Sequence, residues 1–256
     1  MGFLSGSWAL YLRLLRATRR MPTWVVMSII QPMLWLVFFG QLFRQVVELP
    51  GFATHNYAQY LAPGIAVMTA LFGAAFTGIG LLADVDSGFL DRLLATPVSR
   101  GAVIAARVLM AATQVAVQAT VILLAATALG AQPGGGPLGI LLVYLAACLL
   151  AAGFAAFSCA LALLTRRQEM IIALTNLLVL PLIYTSSTMM VPDLMPPWIR
   201  AAARLNPVDW AVVTGRTGYA GGPLAAAAAP LALLAGFAVL CLALATRAFT
   251  RYQRSL

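Results

Sequence analysis

No lysine occurs among the 256 residues of this chain, and only 9% of them carry charge. The first absence excludes a P-loop, whose G-x-x-x-x-G-K-[ST] cradle depends on a lysine amine. The second excludes an ordinary water-soluble domain, in which about a quarter of residues are charged. Disorder, a coiled coil and a disulfide scaffold are excluded with it. Histidine is almost absent too. His55 is the only one, in a predicted loop, so an intramembrane Ser–His protease has no base. Cys148, Cys159 and Cys241 fall inside apolar runs without metal-ligand spacing and read as small buried hydrophobes. None of the seven carboxylates lies centrally in an apolar run, whereas ion-coupled carriers usually keep an ionisable group at the midplane.

What is present is apolar: 62% of the residues are hydrophobic. Six runs, at about 24–43, 61–83, 102–129, 138–164, 170–190 and 224–246, are each long enough to cross about 30 Å of hydrocarbon as a helix. The expected fold is an all-α integral membrane protein, one transmembrane domain over residues 1–256. The net charge of +9 rests on 16 arginines. On a soluble protein it would suggest nucleic acid; between apolar runs it sets topology and meets anionic lipid headgroups, so membrane lipids, and no nucleic acid, are the expected contact. Arg13, Arg16, Arg19, Arg20, Arg92, Arg100, Arg107, Arg166, Arg167, Arg247, Arg251 and Arg254 fall on one side, and Arg44, Arg200, Arg204 and Arg216 on the other. That bias predicts a multi-pass protein with both termini cytoplasmic, and an even number of spans agrees.

Outside the spans, residues 3–20 read as an amphipathic helix in the interface, with Leu4, Trp8, Tyr11, Leu12 and Leu15 opposite Arg13, Arg16 and Arg20. A charged tail is the other reading. The following run is too long for a signal-peptide core and no A-x-A site follows it. In the stretch Asp84–Arg100, residues Val85, Phe89, Leu90, Leu93 and Leu94 repeat at helical spacing, with Asp86 and Asp91 on or near the opposite face and Pro97 as the stop. Periodicity alone is equally consistent with a helix dipping into lipid. Between the last two spans, Trp198–Leu205 and Val208–Tyr219 read as two short helices broken at Asn206-Pro207.

The residues of four segments go further than periodicity. GFLDRLLATPVSRG, QPMLWLVFFGQLF (Gln31–Phe43), YLAPGIAVMTALFGAAFTGIGL (Tyr60–Leu81) and LPLIYTSSTMMVPDLMPPWIRAAARLNPVDWAV (Leu180–Val212) together resemble the type-2 ABC exporter permeases, in the branch of drug-resistance and nodulation-factor exporters. The resemblance covers essentially the whole chain. One departure is that the acidic–basic–acidic start of the family's loop is Asp84-Val85-Asp86 here, without its basic member.

The resemblance implies a transport subunit that performs no chemistry and binds no cofactor itself. It would pair with a second copy or a related permease in a bacterial inner membrane and dock two ABC ATP-binding subunits, which use ATP and Mg. It further implies that residues 87–96 form a coupling helix. Phe89, Leu90, Leu93 and Leu94 would be its anchors in the ATPase, with Asp91 and Arg92 setting register and Pro97 ending it. Residues 191–223, including Pro196, Trp198, Asn206 and Pro207, would form a re-entrant outer hairpin; an exposed loop is the alternative that Arg200, Arg204 and Arg216 permit. Candidates for the translocation pathway are Trp35, Phe38, Phe39, Phe72, Phe76 and Tyr184, with Gln114, Gln118, Thr185 and Ser186. Packing against lipid and polar glue between helices explain the same residues. Gly73, Gly78 and Gly80 would let helices approach closely. The cargo would be a hydrophobic or amphiphilic drug, lipid or glycoconjugate. Rival readings are a stand-alone carrier or channel and, from the acidic cluster Asp84, Asp86 and Asp91, a Mg-dependent intramembrane transferase, which lacks a second acidic motif.

Overall fold

The computed structural model describes residues 3–43, 45, 56–95 and 99–254, and these contain no strand. In chain order the helices are α1 (Phe3–Arg19), α2 (Pro22–Leu42), α3 (Tyr57–Ala75), α4 (Thr77–Asp86), α5 (Phe89–Leu94) and α6 (Arg100–Ala128), followed by α7 (Gly136–Thr165), α8 (Gln168–Tyr184), α9 (Pro197–Ala203), α10 (Pro207–Ala220) and α11 (Leu224–Arg254). A 3-10 turn, Pro192–Leu194, precedes α9. Four helical stretches are long and apolar enough to cross a membrane: Tyr57–Asp86, Gly101–Ala128, Gly136–Thr165 and Leu224–Tyr252. The apolar helices α2 and α8 complete the set of six runs expected from sequence, α8 being the shortest at 17 residues.

The centre of the bundle is α7, which touches α3, α4, α6, α8, α10 and α11. Its buried face is rich in small residues, Ala146, Ala147, Ala151, Ala155 and Ala156, beside Leu150 and Phe154. Small side chains let backbones close in where lipid offers no hydrophobic drive for association. The tightest crossing is with α10: a methyl added to Gly139 would lie 2.1 Å from the Gly218 carbonyl oxygen, so only glycine fits there.

Two spans depart from the sequence reading. The expected run 61–83 is two helices, interrupted at Phe76 (φ −100°, ψ 5°). The interruption is sealed from neighbouring helices: the Gly78 amide donates to Ser158 Oγ at 2.9 Å and Thr175 Oγ1 donates to the Ala75 carbonyl at 3.4 Å. Backbone groups released inside a membrane bundle need such partners. Gly78 is also where α4 meets α7, because a methyl there would lie 2.2 Å from the Ser158 carbonyl oxygen.

The fifth run, expected to reach residue 190, stops as a helix at Tyr184. Here the hydroxyls of Thr185 and Ser186 turn back onto the carbonyls of Pro181 and Ile183, at 2.8 and 2.7 Å. Serine and threonine compete with the backbone in this way and end helices. At the other extreme α11 runs on to Arg254, beyond the expected end at 246.

Candidate functional site

At the arginine-rich end of the bundle, α4 ends at Asp86 and Gly88 takes a left-handed conformation (φ 65°), which redirects the chain into α5. This turn is why the helix expected over residues 87–96 begins at Phe89. Its expected stop, Pro97, lies outside the described residues, as do the side chain of Leu94, Arg44 and His55. Leu90 is 1% exposed, in a cluster with Leu81, Ile104, Leu163, Phe249 and Tyr252, and Leu93 packs against the same cluster. Phe89 is half-buried beneath the Arg13 guanidinium, 3.5 Å from its ring centre. Of the expected anchors, Leu90 is thus buried against its own chain, and Phe89 and Leu93 are half-buried. The apolar face of α5 is occupied by its own chain, because Gly88 folds the helix back onto α4, α6 and α11. What faces outward is polar: Asp86, Ser87, Asp91 and Arg92 are exposed, with Asp91 Oδ1 accepting a bond from Tyr252 at 3.3 Å.

Asp84, just before this turn, gathers two arginines. Arg13 of α1 donates to it at 2.8 and 3.3 Å. Arg107 of α6 pairs with it closely and also donates to the Gly80 carbonyl at 3.0 Å. The basic residue missing from the Asp84-Val85-Asp86 run is thus replaced from two other helices, which no local pattern could announce. The α1 helix packs along α6 through Tyr11, Ala106 and Met110. Tyr11 also shares a 3.1 Å hydrogen bond with Thr113. Leu4 and Trp8, however, remain exposed.

At the opposite end, α9 and α10 form a hairpin broken at Asn206-Pro207, as the sequence predicts. Asn206 is buried and uses its whole side chain: Oδ1 accepts from the Val208 amide, and Nδ2 donates to the Leu182 carbonyl and to Thr185 Oγ1. That cap, with Pro207 in the first turn, is a strong helix start. It places the beginning of α10 beside the last turn of α8. Val208, Ala211 and Val212 share a buried cluster with Ala147, Leu150 and Ala151 from the middle of α7. The far end of α10 meets the first turn of α7 at Gly139. α10 is therefore packed along α7 from its middle to its first turn, and is not an exposed loop. Pro196 and Trp198 lie on the exposed side of the hairpin.

The same geometry places Arg216, one of the three arginines that an exposed loop would permit, inside the bundle. It is half-buried in a collar of backbone carbonyls. Nε donates to Tyr60 at 3.2 Å, Nη1 to Ser187 at 2.8 Å and Nη2 to Thr188 at 2.9 Å. Its guanidinium lies 3.6 Å above the Tyr60 ring. Asp209 Oδ1 accepts from the Ser187 amide at 2.7 Å. Thr185 and Ser186 thus belong to a joint between α8 and α10, and Tyr184, 71% exposed, points away from it.

Of the pathway candidates, five come together. Trp35 of α2, Phe72 and Phe76 at the α3 break, and Gln114 and Gln118 of α6 line one cavity of about 330 Å³. Met27, Ser28, Gln31, Met68 and Thr69 also line it and were not singled out by sequence; their only signal is helical register with the five. Phe39 lies behind this wall, stacked on Trp35 at 4.8 Å. Phe38, 65% exposed on another face of α2, does not line it.

Comparison with known proteins fits this architecture. The family model of the ABC-2 type transporter matches residues 6–219. The chain belongs to the ABC-2 type transporter permease family. A ycf38 transport permease of Cyanophora paradoxa is 32% identical over 212 residues, 82% of this chain and 72% of that protein. The daunorubicin resistance ABC transporter permease protein DrrB1 of Streptomyces coeruleorubidus is 25% identical, over 80% of this chain and 71% of its own. The doxorubicin resistance ABC transporter permease protein DrrC of Mycobacterium tuberculosis is 27% identical, over 89% and 84% respectively. The matched region of this ABC-2 permease takes in α5, the cavity and the hairpin as far as Tyr219.

Proposed function

We propose that this permease is the membrane subunit of an ATP-driven exporter in a bacterial inner membrane. Two copies, or one copy and a related permease, pair to form the pathway and dock two separate ABC ATP-binding subunits, which bind the ATP and Mg. The chain crosses the membrane six times with both termini in the cytoplasm, and the α9–α10 hairpin enters from the outer side. Family membership and the drug-resistance names of two relatives support outward transport of a hydrophobic or amphiphilic cargo.

The observation that carries this reading is the build of α5. Its inner face is packed into α4, α6 and α11, while its outer face offers Asp91 and Arg92. A partner gripping that polar face would move the helices behind it as a rigid body. Charges at such a rim set register and partner choice. The earlier candidates Phe89 and Leu93 are poor test sites, because an acid there would damage the chain's own packing.

The test is co-expression with the ATP-binding subunit encoded beside it, followed by purification and an ATPase assay. A complex with two copies of each chain is expected, and Asp91→Lys with Arg92→Glu is expected to lose the ATPase while leaving thermal unfolding unchanged. A native protein that purifies alone and transports when reconstituted alone would make it a stand-alone carrier. A double variant that still co-purifies would move the docking face away from α5.

A further inference from the structure

The cavity between α2, α3 and α6 has a chemistry of its own. Its volume of about 330 Å³ falls in the range of small-molecule sites, roughly 300–1,000 Å³. Trp35, Phe72 and Phe76 supply aromatic surface on two of its walls, and Phe76 is the residue at which α3 breaks. Among the described residues, none lining it is charged. An anion entering would lose its water without gaining a counter-charge. Ring faces, by contrast, accept a cation or a neutral aromatic.

Two of its polar side chains already have partners. Thr69 Oγ1 donates to the Ile65 carbonyl at 2.8 Å. Gln118 Nε2 donates to Ser28 Oγ at 3.0 Å. The other end of that amide is different: Gln118 is 7% exposed, and its Oε1 has no hydrogen-bond partner. Buried polar atoms are almost always paired, and one that is not calls for an explanation. The space above it is kept open by Gly73, where even a methyl group would sit 3.7 Å from the oxygen. The wall is thus largely apolar and aromatic, with the less buried amides of Gln31 and Gln114 on it and, among the described residues, one buried acceptor left unpaired, Gln118 Oε1, facing Gly73.

We propose that this cavity is a binding site within a single subunit for an aromatic amphiphile that carries an N–H or O–H donor and no negative charge. Its donor bonds Gln118 Oε1, and its ring system lies along Phe72 and Phe76. The proposal deepens the exporter reading by naming a class of cargo. Its test reads binding alone and needs no ATPase, so it can fail while that reading stands, and the reverse.

Three related probes separate the terms. N-phenyl-2-naphthylamine has one N–H and no charge. Its N-methyl derivative lacks the donor, and 2-anilinonaphthalene-6-sulfonate keeps the N–H but adds an anion. Binding to the purified protein in lipid nanodiscs is read as the quenching of tryptophan emission that Trp35→Phe removes. The neutral amine is expected to bind roughly tenfold tighter than its N-methyl derivative, the scale of one hydrogen bond to a buried acceptor, and tighter than the sulfonate. Gln118→Leu is expected to abolish the preference for the amine while binding the N-methyl compound as the native protein does, which also shows that the variant is folded. Gly73→Leu, which fills the space, is expected to weaken all three. Equal binding of amine and N-methyl compound by the native protein would overturn the proposal, as would a preference that survives Gln118→Leu or a sulfonate that binds tightest.

Discussion

Arg216 and Arg107 stand at opposite ends of the bundle, and each ties separate helices together, through partners of different kinds. Arg216 spends three donors on the carbonyls of Tyr60, Ser187 and Thr188, and among the described residues no carboxylate lies within ion-pair distance of it. The Tyr60 carbonyl is fixed within α3 and the other two by where α8 ends, so the joint has one arrangement. Arg107 shares Asp84 with Arg13, whose side chain is 43% exposed. That carboxylate can release one arginine and keep the other. One end of the molecule is closed by the backbone itself, and the other by a charge with two claimants. The adjustable end is also the end that presents α5. A device that must transmit motion needs compliance on that side and a fixed joint on the other.

The comparison is broken most directly at the collar. Arg216→Leu removes the guanidinium from three carbonyls; those of Tyr60, inside α3, and Ser187, bonded by the Tyr60 hydroxyl, keep a donor, and one left unpaired costs about 1–3 kcal/mol. The substitution is expected to produce the largest loss of stability of any single substitution discussed, read as thermal unfolding of the purified protein. Arg216→Lys should recover only part of the loss, because an ammonium group cannot reproduce the guanidinium fork. If Arg216→Leu unfolds at the native temperature, the hairpin is held by its apolar packing alone and the two ends are not different in kind.

Asp84→Asn is expected to be the next largest. It leaves Arg107, 6% exposed, without its counter-charge, and breaking a buried pair costs about 3–5 kcal/mol. Asp84 itself is 17% exposed, which places the expectation at the low end of that range. Combining Asp84→Asn with Arg107→Gln should cost clearly less than the sum of the two, because the second change removes the charge that the first one stranded. Strict additivity would mean that the two side chains are not coupled.

What sequence reasoning reached, and what it missed, follows the range of each interaction. The break at Asn206-Pro207 is written locally, since asparagine caps and proline starts a helix in adjacent positions, and two helices meet there as expected. The helical spacing of Phe89, Leu90 and Leu93 is real as well. Periodicity identifies an apolar face without saying what covers it, and here the cover is Tyr252 and Phe249 from the far end of the chain. The break at Phe76 depends on Ser158 and Thr175 from α7 and α8, so no window around residue 76 contains its cause. The partners of Arg216 are likewise distant in sequence, Tyr60 lying on α3 and Ser187 and Thr188 beyond α8. In the cavity, residue type selected Trp35, Phe72, Phe76, Gln114 and Gln118, but it selected Phe38 and Tyr184 equally. A helix that is apolar all round carries no moment by which to choose its inner face.

The smallest effect sharpens the comparison furthest. Arg13→Gln removes an ion pair that is partly in water, for which about 0.2–1 kcal/mol is the usual scale. The α1 helix keeps its other anchors on α6, Tyr11 with Thr113 and the contacts with Ala106 and Met110. Stability should therefore fall only slightly, and the difference from the native protein should shrink as salt is raised, because exposed charges are screened while buried ones are not. The loss caused by Arg216→Leu should not respond to salt. Hydrogen exchange gives the spatial counterpart: α1 amides should exchange faster in Arg13→Gln while those of α6 hold, since Asp84 keeps Arg107 when Arg13 is gone. If Arg13→Gln proves as costly as Asp84→Asn, the carboxylate has no spare partner, α1 and α6 move as one, and the compliance assigned to this end is lost.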